Sequence, residues 1–126
     1  MAFDKQEMMD RTQHLAVQVI EVLEEIPSKR ANLKIADQVT RSALSLGANY
    51  RAACRGKSPA DFINKLKIVE EEADETVFFL EVLLKINETT YHKELERLKV
   101  EYEKILSTMV ASIITMRSKL KSNKTP

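Results

Sequence analysis

Turn formers are scarce in this sequence, with two Gly and three Pro among 126 residues, well below average usage. A β-sandwich or a Gly-rich nucleotide fold needs many tight turns, so that stock points away from both and toward long helices. There is no Trp and one cysteine, Cys54. A lone thiol forms no internal disulfide, and the expectation is a reducing, cytoplasmic setting. Neither sign of charge dominates, since 20 Lys+Arg against 19 Asp+Glu leave a formal net charge of +1. Long hydrophobic runs are absent too. The longest uncharged stretch, Ile105 to Met116, would rise about 18 Å as a helix against roughly 30 Å of bilayer core. The first residues carry charge from Asp4 onward and lack the apolar core of a signal peptide.

What is present is a chain that is 44% apolar and 31% charged, enough for one hydrophobic core and one domain over residues 1–126. Three clusters punctuate it: Pro27-Ser28-Lys29-Arg30, Gly56-Lys57-Ser58-Pro59 and Asn87-Glu88-Thr89-Thr90. The four segments between them have helical periodicity and predict helices over about 5–26, 32–53, 59–86 and 93–121, followed by a flexible basic tail, 122–126. The first carries Leu15, Val19, Val22, Leu23 and Ile26 on one face, and the second Ile35, Val39, Ala43, Leu46, Tyr50 and Ala53. The third opens on Ser58-Pro59-Ala60-Asp61, where Ser suits the cap, Pro the first helical position and Asp the capping-box acid. Its stripe of Phe62, Leu66, Val69, Ala73, Thr76, Leu80 and Leu83 keeps a strict 4-3 spacing. Leu95, Leu98, Tyr102, Ile105, Met109, Ser112 and Met116 do the same in the fourth. Heptad seams joined by short loops predict an all-α, antiparallel up-down-up-down four-helix bundle.

Two segments carry more apolar residues than one buried stripe uses. Val77, Phe78, Phe79, Val82 and Leu84 lie off the seam of the third helix, and Leu106, Val110, Ala111, Ile113 and Ile114 surround that of the fourth. A second copy of the chain is the simplest cover, so a homo-oligomer is expected, with Phe78, Phe79, Val82, Val110 and Ile114 as candidate interface residues. The alternative is a wide core face against the other two helices.

The net charge of +1 hides unlike blocks: +5 from Arg41 to Lys67, −6 from Glu70 to Glu81, and +4 from Arg117 to Lys124. On a helical wheel Arg41, Arg51 and Arg55 fall within about 80° of each other, and Lys57, Lys65 and Lys67 follow in sequence. Grouped cations suit phosphates, so Arg41, Arg51, Arg55, Lys57 and Lys65 are candidate contacts to RNA or DNA. The competing reading is a protein-interaction scaffold in which these bases pair with Glu70, Glu71, Asp74 or Glu75, within a subunit or between subunits. No metal, cofactor or reaction is expected. Neither His14 nor His92 has a Glu three residues before it, as a di-metal bundle site requires. Phosphate-binding Gly loops and a serine nucleophile elbow are also missing. Cys54 reads as a small structural residue.

The stretch from Gln38 to Ala53 contains Arg41, Ser45, Asn49 and Tyr50. With Arg55-Gly56-Lys57-Ser58, Asp61 to Leu66 and Ile68 to Thr76, it resembles the bacterial four helix bundle protein family, whose founding members are encoded in intervening sequences of large-subunit ribosomal RNA genes. The resemblance covers nearly the whole chain by pattern. It implies a homopentameric ring of four-helix bundles. It also implies kinship with accessory proteins of diversity-generating retroelements, which bind a reverse transcriptase and nucleic acid. It brings no catalytic residue. The family's helix-two Arg matches Arg41, its Ser-x-x-x-Asn matches Ser45 and Asn49, and its cap matches Ser58, Asp61 and Phe62. Where many members have an acid just after that Asn, this chain has Arg51-Ala52, a more basic surface.

Overall fold

The computed structural model describes the backbone of residues 4–124 and the side chains of residues 4–122. Four α-helices follow one another: α1 (Lys5–Glu25), α2 (Arg30–Cys54), α3 (Pro59–Ile86) and α4 (His92–Lys124), the last preceded by a 3₁₀ turn, Thr89–Tyr91. Among the described residues there is no strand, so the chain is all-α and consistent with a four-helix bundle. Helix α4 takes in Ser122, Asn123 and Lys124, which the sequence placed in a tail. No Gly or Pro interrupts that stretch, and a regular backbone costs it nothing beyond ordinary propensity. The rest of that tail, residues 125 and 126, lies outside the described residues.

Local chemistry sets the helix ends. The Asp4 carboxylate accepts from the backbone N–H of Gln6 at 2.9 Å and of Glu7 at 3.2 Å, capping α1, and Pro27 follows its end. Ser58 Oγ accepts from the Asp61 N–H at 3.2 Å with Pro59 in the first turn of α3. The bend between α2 and α3 is tight at Gly56. A Cβ there would lie 3.1 Å from the Ala53 carbonyl oxygen, so the missing side chain lets the backbone close up.

The heptad stripes converge on a single core. Val19, Val39, Leu46, Leu66, Leu80, Leu95, Leu98 and Met109 are fully buried. Helix α2 packs on α1 and α3, and α3 on α2 and α4, whereas α1 meets α4 far less. Polar contacts cross the seams at fixed places. Ser42 and Thr76 share a buried hydroxyl–hydroxyl hydrogen bond of 2.7 Å between α2 and α3. At the α2 start, Asn32 and Asn87 exchange amide hydrogen bonds of 2.8 and 2.9 Å while buried. Asn32 also donates to the Pro27 carbonyl and Asn87 to that of Leu83, both at 2.9 Å. Lys29 Nζ covers the Ile86 carbonyl at 2.7 Å, a cation on the negative end of α3. Between α1 and α4, Arg11 donates to Glu101 at 3.0 Å and Arg97 to Gln18 at 3.2 Å.

The Asn32–Asn87 exchange is cooperative, because each buried amide satisfies the other. Asn87→Ala should cost about 2 kcal/mol by leaving Asn32 short of partners. The double variant Asn32→Ala/Asn87→Ala should lose clearly less than the two single losses added; additive losses in denaturant unfolding would contradict this coupling. At the α1–α4 seam, burial alone would raise the Glu101 carboxyl, but the hydrogen bond from Arg11 and the charge of Lys104 outweigh it and hold it below the usual carboxylate range. A lowered folded-state value gives stability above the unfolded value of about 4.3 that is lost as pH falls through the folded one. Glu101→Gln should therefore show a shallower acid dependence of unfolding, by no more than about 1 kcal/mol for so exposed a pair.

Candidate functional site

The five candidate phosphate contacts separate into two groups. Arg41 faces α3. Its Nη1 donates to Glu72 at 3.1 Å, its Nη2 to Glu75 at 2.6 Å and its Nε to Gln38 at 3.4 Å. Glu72 is buried, and a buried carboxylate needs a cation of this kind. The Glu75 carboxyl titrates above its usual range, first because the Glu72 carboxyl lies in hydrogen-bonding reach and then through burial, with Arg41 opposing. Arg41 is thus occupied within its own subunit. Two turns along the same helix, Asn49 Nδ2 donates to the Ser45 carbonyl at 2.9 Å and the Ser45 hydroxyl at 3.1 Å, a bond along α2 itself.

Arg51 and Arg55 stand on another side of α2 and line a groove against α1, with Met9, Asp10, Val17 and Leu44. Lys57 is exposed in the α2–α3 bend, and Lys65 is half-buried in the second turn of α3. None of these four cations makes an ion pair among the described residues. Lys5, at the start of α1, lies 4.7 Å from the centre of the Phe62 ring and adds a fifth cation at this end of the molecule. Asp10 and Asp61 are there too, the first on the groove wall and the second inside the α3 cap.

The expected interface residues divide in the same way. Phe78 is 58% and Ile114 63% exposed; Val110 is exposed, and Phe79 and Val82 are half-buried. Phe79 packs edge-on against Phe78 with ring centres 5.5 Å apart. Of the other surplus apolar residues, Val77 and Ile113 go into the core. A second apolar surface, not expected from the sequence, runs along the α1–α2 groove, where Val17 is 49%, Leu33 54% and Leu44 51% exposed beside Ile20. Its signal was available: each of these residues lies off the stripe of its own helix.

The described residues bring no group of three or more His, Cys, Asp or Glu together in a way that could hold a metal ion. No helix among them is long and apolar enough to cross a membrane. Cys54 is a free thiol, half-buried. Burial first, and then the neighbouring Cys54 thiol, raise the Tyr50 phenol. Burial likewise raises the phenol of Tyr102. Replacing Arg41 with Gln should cost about 1–2 kcal/mol at pH 7, since Glu72 keeps its burial and loses its cation. Removing the cation takes away the charge that opposes the rise of the Glu75 carboxyl, so the deficit is full above that group's folded-state value and shrinks as pH falls through it. Unfolding of Arg41→Gln at pH 7 and pH 4 reads this, and an equal deficit at both would contradict it.

No protein of curated function matches the sequence. A crystal structure of a protein of unknown function from the S23 ribosomal protein family of Bacteroides thetaiotaomicron is similar, with 29% identity and a TM-score of 0.72 over 83% of this chain and 96% of that one. The model of the family described as 23S rRNA-intervening sequence protein matches residues 4–111. On that match the chain belongs to the 23S rRNA-intervening sequence protein family.

Proposed function

We propose that this protein is a non-enzymatic, cytoplasmic homo-oligomer of antiparallel up-down-up-down bundles, closed into a ring, that offers cations to the phosphates of RNA or DNA. Cross-helix partners support the antiparallel order. From α2 into the bend, Asn32, Ser42 and Gly56 lie next to Asn87 at the end of α3, Thr76 and Phe62 in descending order. Along α1, Arg11 and Gln18 meet Glu101 and Arg97 of α4 in the same sense. Exposed apolar side chains on both helix pairs support association. Five copies is the number that the family resemblance implies. A single free cysteine supports a cytoplasmic location.

The nucleic-acid part is carried by one observation: Arg55, Lys57 and Lys65 flank the α2–α3 bend with no ion pair among the described residues. A weak site repeated around a ring gains by avidity. Arg41 supports the second reading, a scaffold whose bases serve its own acids, because its guanidinium is committed to Glu72 and Glu75.

Gel-shift titration of a structured RNA at two salt concentrations separates these readings. Phosphate contacts make affinity fall steeply with salt, by about 0.9 log units per log unit of salt for each contact on duplex nucleic acid. The wild type should show that slope, and Arg55→Glu/Lys57→Glu, which touches no core residue, should bind several-fold more weakly with a flatter slope. A folded double variant that binds like the wild type overturns the phosphate reading and leaves the scaffold.

A further inference from the structure

Two surface triads have heptad spacing. On α2, Asp37, Leu44 and Arg51 are each seven residues apart and all exposed; on α3, Glu71, Phe78 and Lys85 are too. Seven residues return a side chain to within about 20° of the same face and about 10.5 Å along the axis. Each triad is therefore a straight row with an apolar centre and opposite charges at its ends. None of the four charged residues makes an ion pair among the described residues.

The α2 row forms one wall of the groove between α1 and α2. Arg51 and Leu44 line one stretch of it with Val17, and Asp37 lines the next with Ile20 and Leu33. We infer that the Glu71–Phe78–Lys85 row of one copy seats in this groove of a second copy, Glu71 on Arg51, Phe78 on Leu44 and Val17, and Lys85 on Asp37. The spacings agree at both ends. Val82, about 6 Å beyond Phe78 along α3, falls at the stretch of groove that holds Ile20. Charge also fixes the direction: turning the row round would set Lys85 against Arg51 and Glu71 against Asp37, two like-charge contacts that oppose docking. The apolar centre with a polar rim is the usual plan of a protein interface.

The two surfaces are different, so the contact is head-to-tail and leaves a groove free on one copy and a row free on the other. Such contacts propagate until a ring closes or a filament grows. The inference rests on the oligomeric reading above and specifies its contact. Arg55, Lys57 and Lys65 lie beyond the Arg51 end of the row.

The test uses the full chain, light scattering for mass and circular dichroism for helicity. Leu44→Glu breaks the groove and keeps the row; Phe78→Glu does the reverse. Both sites are exposed, so both variants should fold, and each alone should be monomeric. An equimolar mixture should give a dimer and nothing larger, because one intact row then meets one intact groove. As a second pair, Arg51→Glu should weaken association about tenfold or more, and Arg51→Glu/Glu71→Arg should restore it. A monomeric wild type overturns the oligomeric reading and this contact with it. A wild-type oligomer that persists in both single variants, or single variants that stay monomeric on mixing, overturns this contact alone.

Discussion

The α2–α3 seam depends on buried polar contacts that have only one satisfied arrangement. Leucine stripes alone tolerate sliding, since one apolar contact replaces another at little cost. The seam here carries the Ser42–Thr76 hydroxyl pair near its middle and the Asn32–Asn87 amide exchange at one end. A shift of one turn would break both; Ser42 and Thr76 would keep the Val39 and Glu72 carbonyls of their own helices, but the Asn32 and Asn87 side-chain oxygens would lose their donors, at about 1–3 kcal/mol per unsatisfied group. The Arg41 guanidinium adds a third fixed point by holding the buried Glu72. These contacts set the level at which every residue of α3 stands beside α2. They also determine which charges are used inside the subunit and which are left outside.

Helix positions were legible because the stripes obey one rule, a single apolar face per amphipathic helix. From Phe62 to Leu83 and from Leu95 to Met109 every apolar member of the expected seam is buried. The cap at Ser58 was legible for the same local reason, as it needs only neighbours in sequence. What escaped is non-local. Asn87 reads as one of several polar residues in a break, and its role appears only when Asn32 of another helix is brought to it. Phe78 and Phe79 are adjacent and equally apolar, yet one is mostly exposed and the other half-buried. Facing direction relative to a neighbouring helix separates them, and composition does not encode that.

The basic face of α2 shows the same limit. A wheel drawn on one helix puts Arg41, Arg51 and Arg55 in one sector, because it knows angles and not neighbours. In the bundle that sector spans the outer edge between two seams. Arg41, on its α3 side, is captured by carboxylates. Arg51 and Arg55, on its α1 side, border a groove whose walls are mainly apolar and amide side chains. Roughly 80° of helix rotation thus decides between an internal salt bridge and a free surface cation.

This division bears on how near-neutrality should be understood. The +5 block runs from α2 through the bend into the start of α3, and the −6 block follows within α3, so the simplest expectation is that the bases of α2 are neutralised by the acids of α3 across the shared seam. The seam has room for one such cation, because its inner positions are taken by Ser42, Thr76 and the apolar stripes. Arg51 and Glu71 lie on neighbouring helices of one chain, but the first lines the groove against α1 and the second is exposed on α3, and the two form no ion pair among the described residues. Charges that complement each other in sequence and not in the monomer have only two outlets, solvent or another molecule. Where the unused charges also flank exposed leucine and phenylalanine at matching intervals, solvent is the costlier outlet, since it leaves the apolar centre of each row wet. That imbalance is the physical reason for the proposal that a second copy, rather than water alone, covers these rows; the cations around the α2–α3 bend flank no such apolar row.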